Sequence, residues 1–383
     1  MNDFTYQNPT RIHFGKTALS HLPSELARFG RQVVLVYGTG SVKRSGLYDR
    51  VVRELETAGK EVTEVAGVPS NPTYAKVLEG CEAVRRAKAD LILAVGGGSV
   101  VDCSKMISAS AYLTDDPWEH YIEKGLPLCE KTVPIGVILT MAGTGSEMNA
   151  GGVITNEEKH LKLGCNFLHP TFSLLDPTLT LTVPRGQMLS GAFDVICHLH
   201  EQYFSDEGDQ ITDDLIEGLL RGMIRETRKA ALDPTDYDTR ANLMWGATMG
   251  LNESLGLGKT QDWAVHTIEH QVGAYTHCPH GQGLAVISPA YYRFLLPWAQ
   301  KKLARWAQNV WQIDPAGRDE ETMARLGIDA MESFLHEVGL PTTLRELGAT
   351  EEMLPRIAES TLLRGGYHVL TADEVLEILK NCY

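Results

Sequence analysis

Imidazole changes its charge near neutral pH and is a common nitrogen ligand for transition metals. Four of the thirteen histidines of this 383-residue chain fall within eighteen positions, AVHTIEHQVGAYTHCPHG (264–281). His266 and His270 are four apart, so on a helix they share a face and either or both can point into one site. His280, after Pro279 and before Gly281, is expected on a loop that folds back towards that face. A complement lies upstream in SGAFDVICHLHEQYF (190–204), where Asp194 and His198 are also four apart and Phe193, Val195, Ile196, Cys197 and Leu199 make the helix apolar on most sides. An ionised carboxylate in such company is costly unless it is paired or bound to a cation. Asp194, His198 and a pair from the later cluster give a mixed oxygen and nitrogen set that suits Zn2+ or Fe2+ and suits Ca2+ or Mg2+ poorly. Spacing alone leaves open which later histidines complete it, and a buried Asp–His hydrogen bond is the alternative.

Three glycine-bearing loops in the first half could hold a nucleotide. YGTGSVK (37–43) follows an apolar run and precedes a helical segment, with Gly38, Thr39, Gly40 and Ser41 placed where backbone amides can meet a phosphate, although Lys43 stands where a third glycine would complete the fingerprint. AVGGGSVVDCSK (94–105) sets three glycines and Ser99 directly after a buried strand, a cost in backbone entropy that close approach to a ligand explains. In LTMAGTGSEMNAGG (139–152), Thr140, Thr144 and Ser146 leave room for a nucleotide and can hydrogen-bond it. Three such loops at three strand ends make a dinucleotide the leading ligand.

The elements that must carry these residues have two textures. QVVLVY (32–37), DLILAV (90–95) and VPIGVILT (133–140) read as buried strands, alternating with helical patterns over 47–58 and 74–89. That alternation predicts an α/β domain over residues 1–180, a Rossmann-like parallel sheet with helices on both faces and ligands at the strands' carboxyl ends. After LLDPTLTLTVP (174–184) no further run of strands is evident, and residues 181–383 read as an all-helical metal-binding domain. There, Thr212, Asp213 and Asp214 open a helix whose inner face is expected to carry Leu215, Leu219, Leu220, Met223 and Ile224.

Composition sets outer bounds. At 43% apolar and 22% charged the chain is an ordinary globular sequence, and its net charge of −14 argues against nucleic acid or an anionic membrane as partner. MNDFTYQNPT carries no basic stretch followed by an apolar run, so a cytoplasmic protein is expected. The seven cysteines are scattered without a C-x-x-C pair, fitting reduced, buried thiols better than disulfides or a thiolate zinc site.

With these residues in view, the chain resembles the iron-containing (group III) alcohol dehydrogenases, and within them the NADPH-dependent butanol dehydrogenases and aldehyde reductases. The likeness runs through PTRIHFGK (9–16), GGGSVVDCSK (96–105), LTMAGTGSEMN (139–149), DVICH (194–198), QDWAVH (261–266) and the pattern H-x3-H-x9-H-G at His266, His270, His280 and Gly281. The resemblance implies metal ligands Asp194, His198, His266 and His280 holding one Fe2+ or Zn2+, with His270 near the nicotinamide and His277 in no special role. It implies that Gly97, Gly98 and Ser99 hold the pyrophosphate, with Asp102 close by and Asn71, Thr140, Asn149 and Lys162 at nucleotide-contacting positions; relatives commonly repeat threonine after Thr140, where this chain has Met141. NAD-preferring relatives place an acid where Thr39 stands, so NADP(H) is expected over NAD(H).

The implied reaction is hydride transfer between NADPH and short or medium aliphatic aldehydes or alcohols, with His270 as proton relay, at a site in the cleft between the domains of a homodimer. The alternatives are a dehydroquinate-synthase-like lyase, a glycerol-dehydrogenase-like polyol oxidation, or a non-catalytic metal sensor, which would have little use for three nucleotide loops.

Overall fold

The computed structural model describes residues 1–205, 208 and 210–383. They form two compact units, one of Gln7–Val183 and one of Met1–Tyr6 with Pro184–Tyr383.

The first unit contains strands β1 (Arg11–Phe14), β2 (Gln32–Gly38), β3 (Glu61–Val68), β4 (Leu91–Gly96), β5 (Ile135–Leu139), β6 (Gly151–Asn156), β7 (Leu161–Asn166) and β8 (Phe172–Leu175). Its helices are α1 (Leu22–Leu26), α2 (Ser41–Arg44), α3 (Leu47–Thr57), α4 (Tyr74–Ala87) and α5 (Gly98–Ser110). Six strands make one parallel sheet in the order β1-β8-β5-β4-β2-β3, and β6 pairs with β7 as a separate antiparallel hairpin. The α/β reading therefore holds. The three apolar runs read as strands are β2, β4 and β5 at its centre, buried along nearly their whole length because helices cover both faces.

β3 has no apolar run to announce it, since EVTEVAGV sits at the sheet edge and buries only Val65 and Val68. From β2 the chain goes to β3 on one side and returns to β4 on the other. That reversal opens a crevice at the carboxyl ends of β2 and β4, where residues 38–41 and 97–99 lie. α3 braces this edge by burying Leu47, Val51 and Leu55, one helical stripe, against Val33, Leu35, Leu91 and Leu93.

The second unit is built from α6 (Arg185–Tyr203), α7 (Ile211–Leu232), α8 (Tyr237–Gly250), α9 (Ala264–Thr276), α10 (His280–Asn309), α11 (Glu320–Val338), α12 (Met353–Ser360) and α13 (Ala372–Asn381), with no strand among its described residues. α7 begins one residue before Thr212, capped reciprocally by Gln210 and Asp213. Leu215, expected inside, is 55% exposed, while Ile216 and Leu220 are buried. Charge sets this rotation: Asp213 takes Lys259 at 2.5 Å and Lys302 at 2.7 Å, and Glu217 on the same face takes the Tyr203 hydroxyl at 2.7 Å and Arg305 at 2.6 Å. Unpaired, those carboxylates could not have been buried.

All seven cysteines are free thiols; Cys129 and Cys165 are only half-buried, and the others are buried as expected. Among the described residues no helix is long and apolar enough to cross a membrane.

One glycine sets the packing of the sheet's middle: a Cβ at Gly136 on β5 would stand 2.2 Å from the Phe172 ring on β8. Gly136→Ala is expected to cost about 1–3 kcal/mol by overpacking, read as a lower urea midpoint. An unchanged midpoint would show that the ring gives way freely.

Candidate metal centre and nucleotide loops

Four side chains from three helices converge on one point. Asp194 and His198 project from the same face of α6, His266 from the first turn of α9, and His280 is the first residue of α10, not a loop residue as its sequence context suggested. The Nε2 atoms of His198, His266 and His280 lie 3.4, 3.6 and 3.6 Å from Asp194 Oδ1. Those separations are long for hydrogen bonds, yet they match the edge of about 3.4 Å of a tetrahedron whose metal–ligand bonds are about 2.1 Å. Asp194 Oδ1 and His266 Nε2 are buried and make no hydrogen bond among the described residues. Buried polar atoms seldom stay so, and a cation at their focus would account for them. The donor set fits a transition metal.

Glycine makes the convergence possible. A Cβ on Gly281 would come within 1.9 Å of the Ser190 carbonyl oxygen on α6, and one on Gly283 within 2.7 Å of the Glu269 side chain on α9. These two positions let the start of α10 press against both ligand-bearing helices.

Carboxylates fix the rings from behind. Glu201 Oε1 lies 3.1 Å from His266 Nδ1 and also accepts the His266 backbone N–H at 3.0 Å, and Glu269 bonds His280 Nδ1. Each thereby directs the Nε2 lone pair of its histidine towards the shared point. Sequence reasoning passed over both, although the signal was present: Glu201 continues the face of Asp194 and His198 at i+7, and Glu269 is three residues past His266.

Burial opposes ionisation of Asp194, but the surrounding His198, His280 and His266 outweigh it and hold the carboxyl below its usual range. Burial pushes His198 down to about 3, leaving a neutral ring. The same burial acts on His266, yet Cys197, Asp194 and Glu201 raise it well above its ordinary value.

His270, one turn beyond His266, has its ring centroid 6.3 Å from His266 and 5.6 Å from His280, and one of its ring nitrogens lies within 4.8 Å of a side-chain donor atom of each of Glu269 and His280. His277 is exposed and left-handed, with φ of 57°, closing the end of α9.

In the first unit the loop residues gather at the sheet's carboxyl edge. Gly97 precedes α5, whose N-terminus has no side-chain cap. The Ser99 hydroxyl donates to the Ser70 carbonyl, tying the segment of Asn71 to the glycine loop. Thr155 on β6 donates its N–H to Pro72 O at 2.9 Å and is the register partner of Lys162 on β7, which brings Lys162 to the same edge. Thr140 is fixed through its N–H to Gly96 O at 2.9 Å, and Met141 packs over Gly97. Gly38 ends β2, and Thr39 and Gly40 join it to α2, with Gly40 at φ 127° and Ser41 opening the helical turn. Asp102 faces inward, accepting from the Ser146 hydroxyl at 2.6 Å and the Val153 N–H at 3.0 Å; Asn149 and Thr144 belong to the same packed segment.

Both units match models of one family: the iron-containing alcohol dehydrogenase model covers residues 9–177, and the Fe-containing alcohol dehydrogenase C-terminal model covers 188–383. The chain belongs to the iron-containing alcohol dehydrogenases. It is 39% identical to the probable NADH-dependent butanol dehydrogenase 1 of Bacillus subtilis (strain 168), over 99% of each chain. It is 38% identical to the NADPH-dependent aldehyde reductase YqhD of Escherichia coli (strain K12), over 93% of this chain and 92% of that one. The crystal structure of NADH-dependent butanol dehydrogenase A from Thermotoga maritima superposes with a TM-score of 0.95 at 36% identity, over 100% of this chain and 99% of that one. The chain is thus an oxidoreductase acting on alcohols, of the butanol dehydrogenase and aldehyde reductase branch, and its family implies a divalent metal and a nicotinamide cofactor.

Replacing Glu201 with Gln is expected to lower affinity for the divalent ion by about 10–100-fold, measured as metal retained per chain after dialysis against graded chelator. Retention equal to wild type would remove Glu201 from the centre.

Proposed function

We propose that this chain is a metal-dependent NADP(H) alcohol dehydrogenase and aldehyde reductase that moves hydride between NADPH and short or medium aliphatic aldehydes. The observation that carries the reading is the focus of three imidazole Nε2 atoms on Asp194 Oδ1. Asp194, His198, His266 and His280 would hold one Fe2+ or Zn2+. When bound, the metal supplies Lewis acidity at the substrate oxygen and the dinucleotide supplies hydride at the nicotinamide.

The chain's own residues do the rest. Glu201 and Glu269 keep the ligand rings oriented, Gly97, Gly98 and Ser99 bind the pyrophosphate at the start of α5, and Asn71, Thr140, Asn149 and Lys162 orient the nucleotide. His270 holds the proton that the product oxygen takes up, because its imidazole stands one helical turn from His266 and beside His280. The proposal extends, on family likeness alone, to a homodimer in the cytoplasm.

Preference for the 2′-phosphate rests on the end of β2. Thr39 offers no carboxylate to repel it. The nearby acid, Glu64, accepts from the hydroxyls of Tyr37 and Tyr48 at 2.5 Å each, and the Lys43 ammonium lies 5.0 and 4.4 Å from the centres of those two rings. A cation thus stands beside the loop while the acid is engaged by phenols. Relatives named for NADH and for NADPH are about equally similar, so these residues and not the relatives support the preference.

Two measurements test this. kcat/KM with butyraldehyde is expected to be roughly tenfold or more higher with NADPH than with NADH, the worth of one charge-assisted contact; equal values would defeat the preference. His270→Ala is expected to keep its full metal content and lose about 10²-fold or more in kcat, whereas loss of metal would make His270 a ligand.

A further inference from the structure

α5 is buried at every residue except Ser99, and one of its faces is polar. Gly98, Asp102 and Lys105 follow at i, i+4 and i+7 and share that face. Lys105 is 0% exposed, an uncommon place for an ammonium group. Its Nζ donates to Ser146 Oγ at 2.7 Å, Asn149 Oδ1 at 3.0 Å and Gly151 O at 2.7 Å. Ser146 passes its own hydroxyl hydrogen to Asp102 Oδ1 at 2.6 Å, and the Val153 N–H reaches Asp102 Oδ2 at 3.0 Å. At the other end of the face, a Cβ on Gly98 would stand 2.3 Å from Thr144 Oγ1, so Thr144 is seated directly on the first turn of the helix. The segment 144–153 is therefore fastened at both ends of the two helical turns that begin at Gly97.

An apolar side chain would fill this place at lower desolvation cost. What an ammonium adds is direction, because it holds three oxygens at fixed positions around one atom. Its grip on Asn149 Oδ1 also settles which way that amide points, leaving Nδ2 as the donor, which reaches Thr144 O at 3.4 Å.

We infer that Lys105 is the positioning residue of the nucleotide site: held by Ser146, Asn149 and Gly151, it fixes the 144–151 segment relative to the start of α5, and with it the Asn149 donor. The inference rests on the proposal that these loops bind a nicotinamide dinucleotide.

The test uses the metal-loaded, full-length enzyme with NADPH as probe. Lys105→Met is expected to raise both the Kd for NADPH, read by fluorescence titration, and its KM by roughly tenfold or more, the scale set by losing hydrogen bonds to a charged group. kcat at saturating NADPH, the KM for butyraldehyde and metal per chain should stay near wild type. A merely structural lysine behaves differently: its loss lowers the active fraction, so kcat falls while the KM for NADPH holds, and that pattern overturns the inference.

Ser146→Ala removes a single hydroxyl between Lys105 and Asp102 and covers the case in which Lys105→Met does not fold. It should raise the NADPH Kd by about threefold or more, and an unchanged Kd there overturns the inference. Wild-type protein that binds neither NADPH nor NADH overturns the nucleotide reading itself, an outcome distinct from a wild type that binds and variants that bind equally well.

Discussion

A carboxylate buried on an apolar helix constrains everything around it. Asp194 is enclosed by α6, α9 and α10, where an unpaired negative charge would be untenable. Three imidazoles answer it, and each must come close without meeting its neighbours' backbones. Gly281 and Gly283 follow from that need, since any side chain at Gly281 would strike the Ser190 carbonyl and push His280 away from the focus. Glu201 and Glu269 follow as well, because an imidazole with a free choice of tautomer would turn its lone pair inward only part of the time.

The first unit solves a similar problem with the opposite sign. Lys105 is as buried as Asp194, and its charge is met by oxygens of one segment and, through Ser146, by Asp102. In both units a glycine permits the close approach, Gly98 under Thr144 in one and Gly281 against Ser190 in the other. In both, the buried charge lies next to atoms proposed to meet a ligand. Packing alone would favour apolar residues at these places; fixed direction at a binding site is what the charged ones supply.

These relations explain what could be read from the chain in advance. The central strands were legible because a parallel strand covered on both faces must be continuously apolar, as in QVVLVY and DLILAV. β3 was not, since an edge strand can carry EVTEVAGV with two buried valines. The inner face of α7 was misjudged at Leu215 because ion pairs of Asp213 and Glu217 set its rotation, and those partners lie some 45 to 90 residues away in sequence, beyond any local pattern. Of the four residues of the candidate metal centre, Asp194 and His198 were legible as an i, i+4 pair, whereas spacing left the later histidines open and only the family motif picked out His266 and His280. Glu201, Glu269 and Lys105 were not singled out, since a glutamate or lysine on a helix is ordinarily a solvated one and only the assembled fold shows them buried.

The carboxylates behind the centre also limit one another. Asp262 accepts from the Tyr291 hydroxyl at 2.7 and 2.8 Å, and from the N–H groups of Gly366 and Ala264 at 3.0 Å each, so it ties α9, α10 and the segment before α13 together. Burial first, and the charge of Glu201 second, push its carboxyl up to about 7 against those donors. A raised carboxyl favours the folded chain while it is protonated, and that contribution is lost as pH rises through about 7. The three donors thus do more than fasten three segments: by stabilising the ionised form they restrain the rise that burial and Glu201 impose. The same three-way tie that sets the start of α9, and so the place of His266, keeps a second buried carboxylate tolerable beside the first.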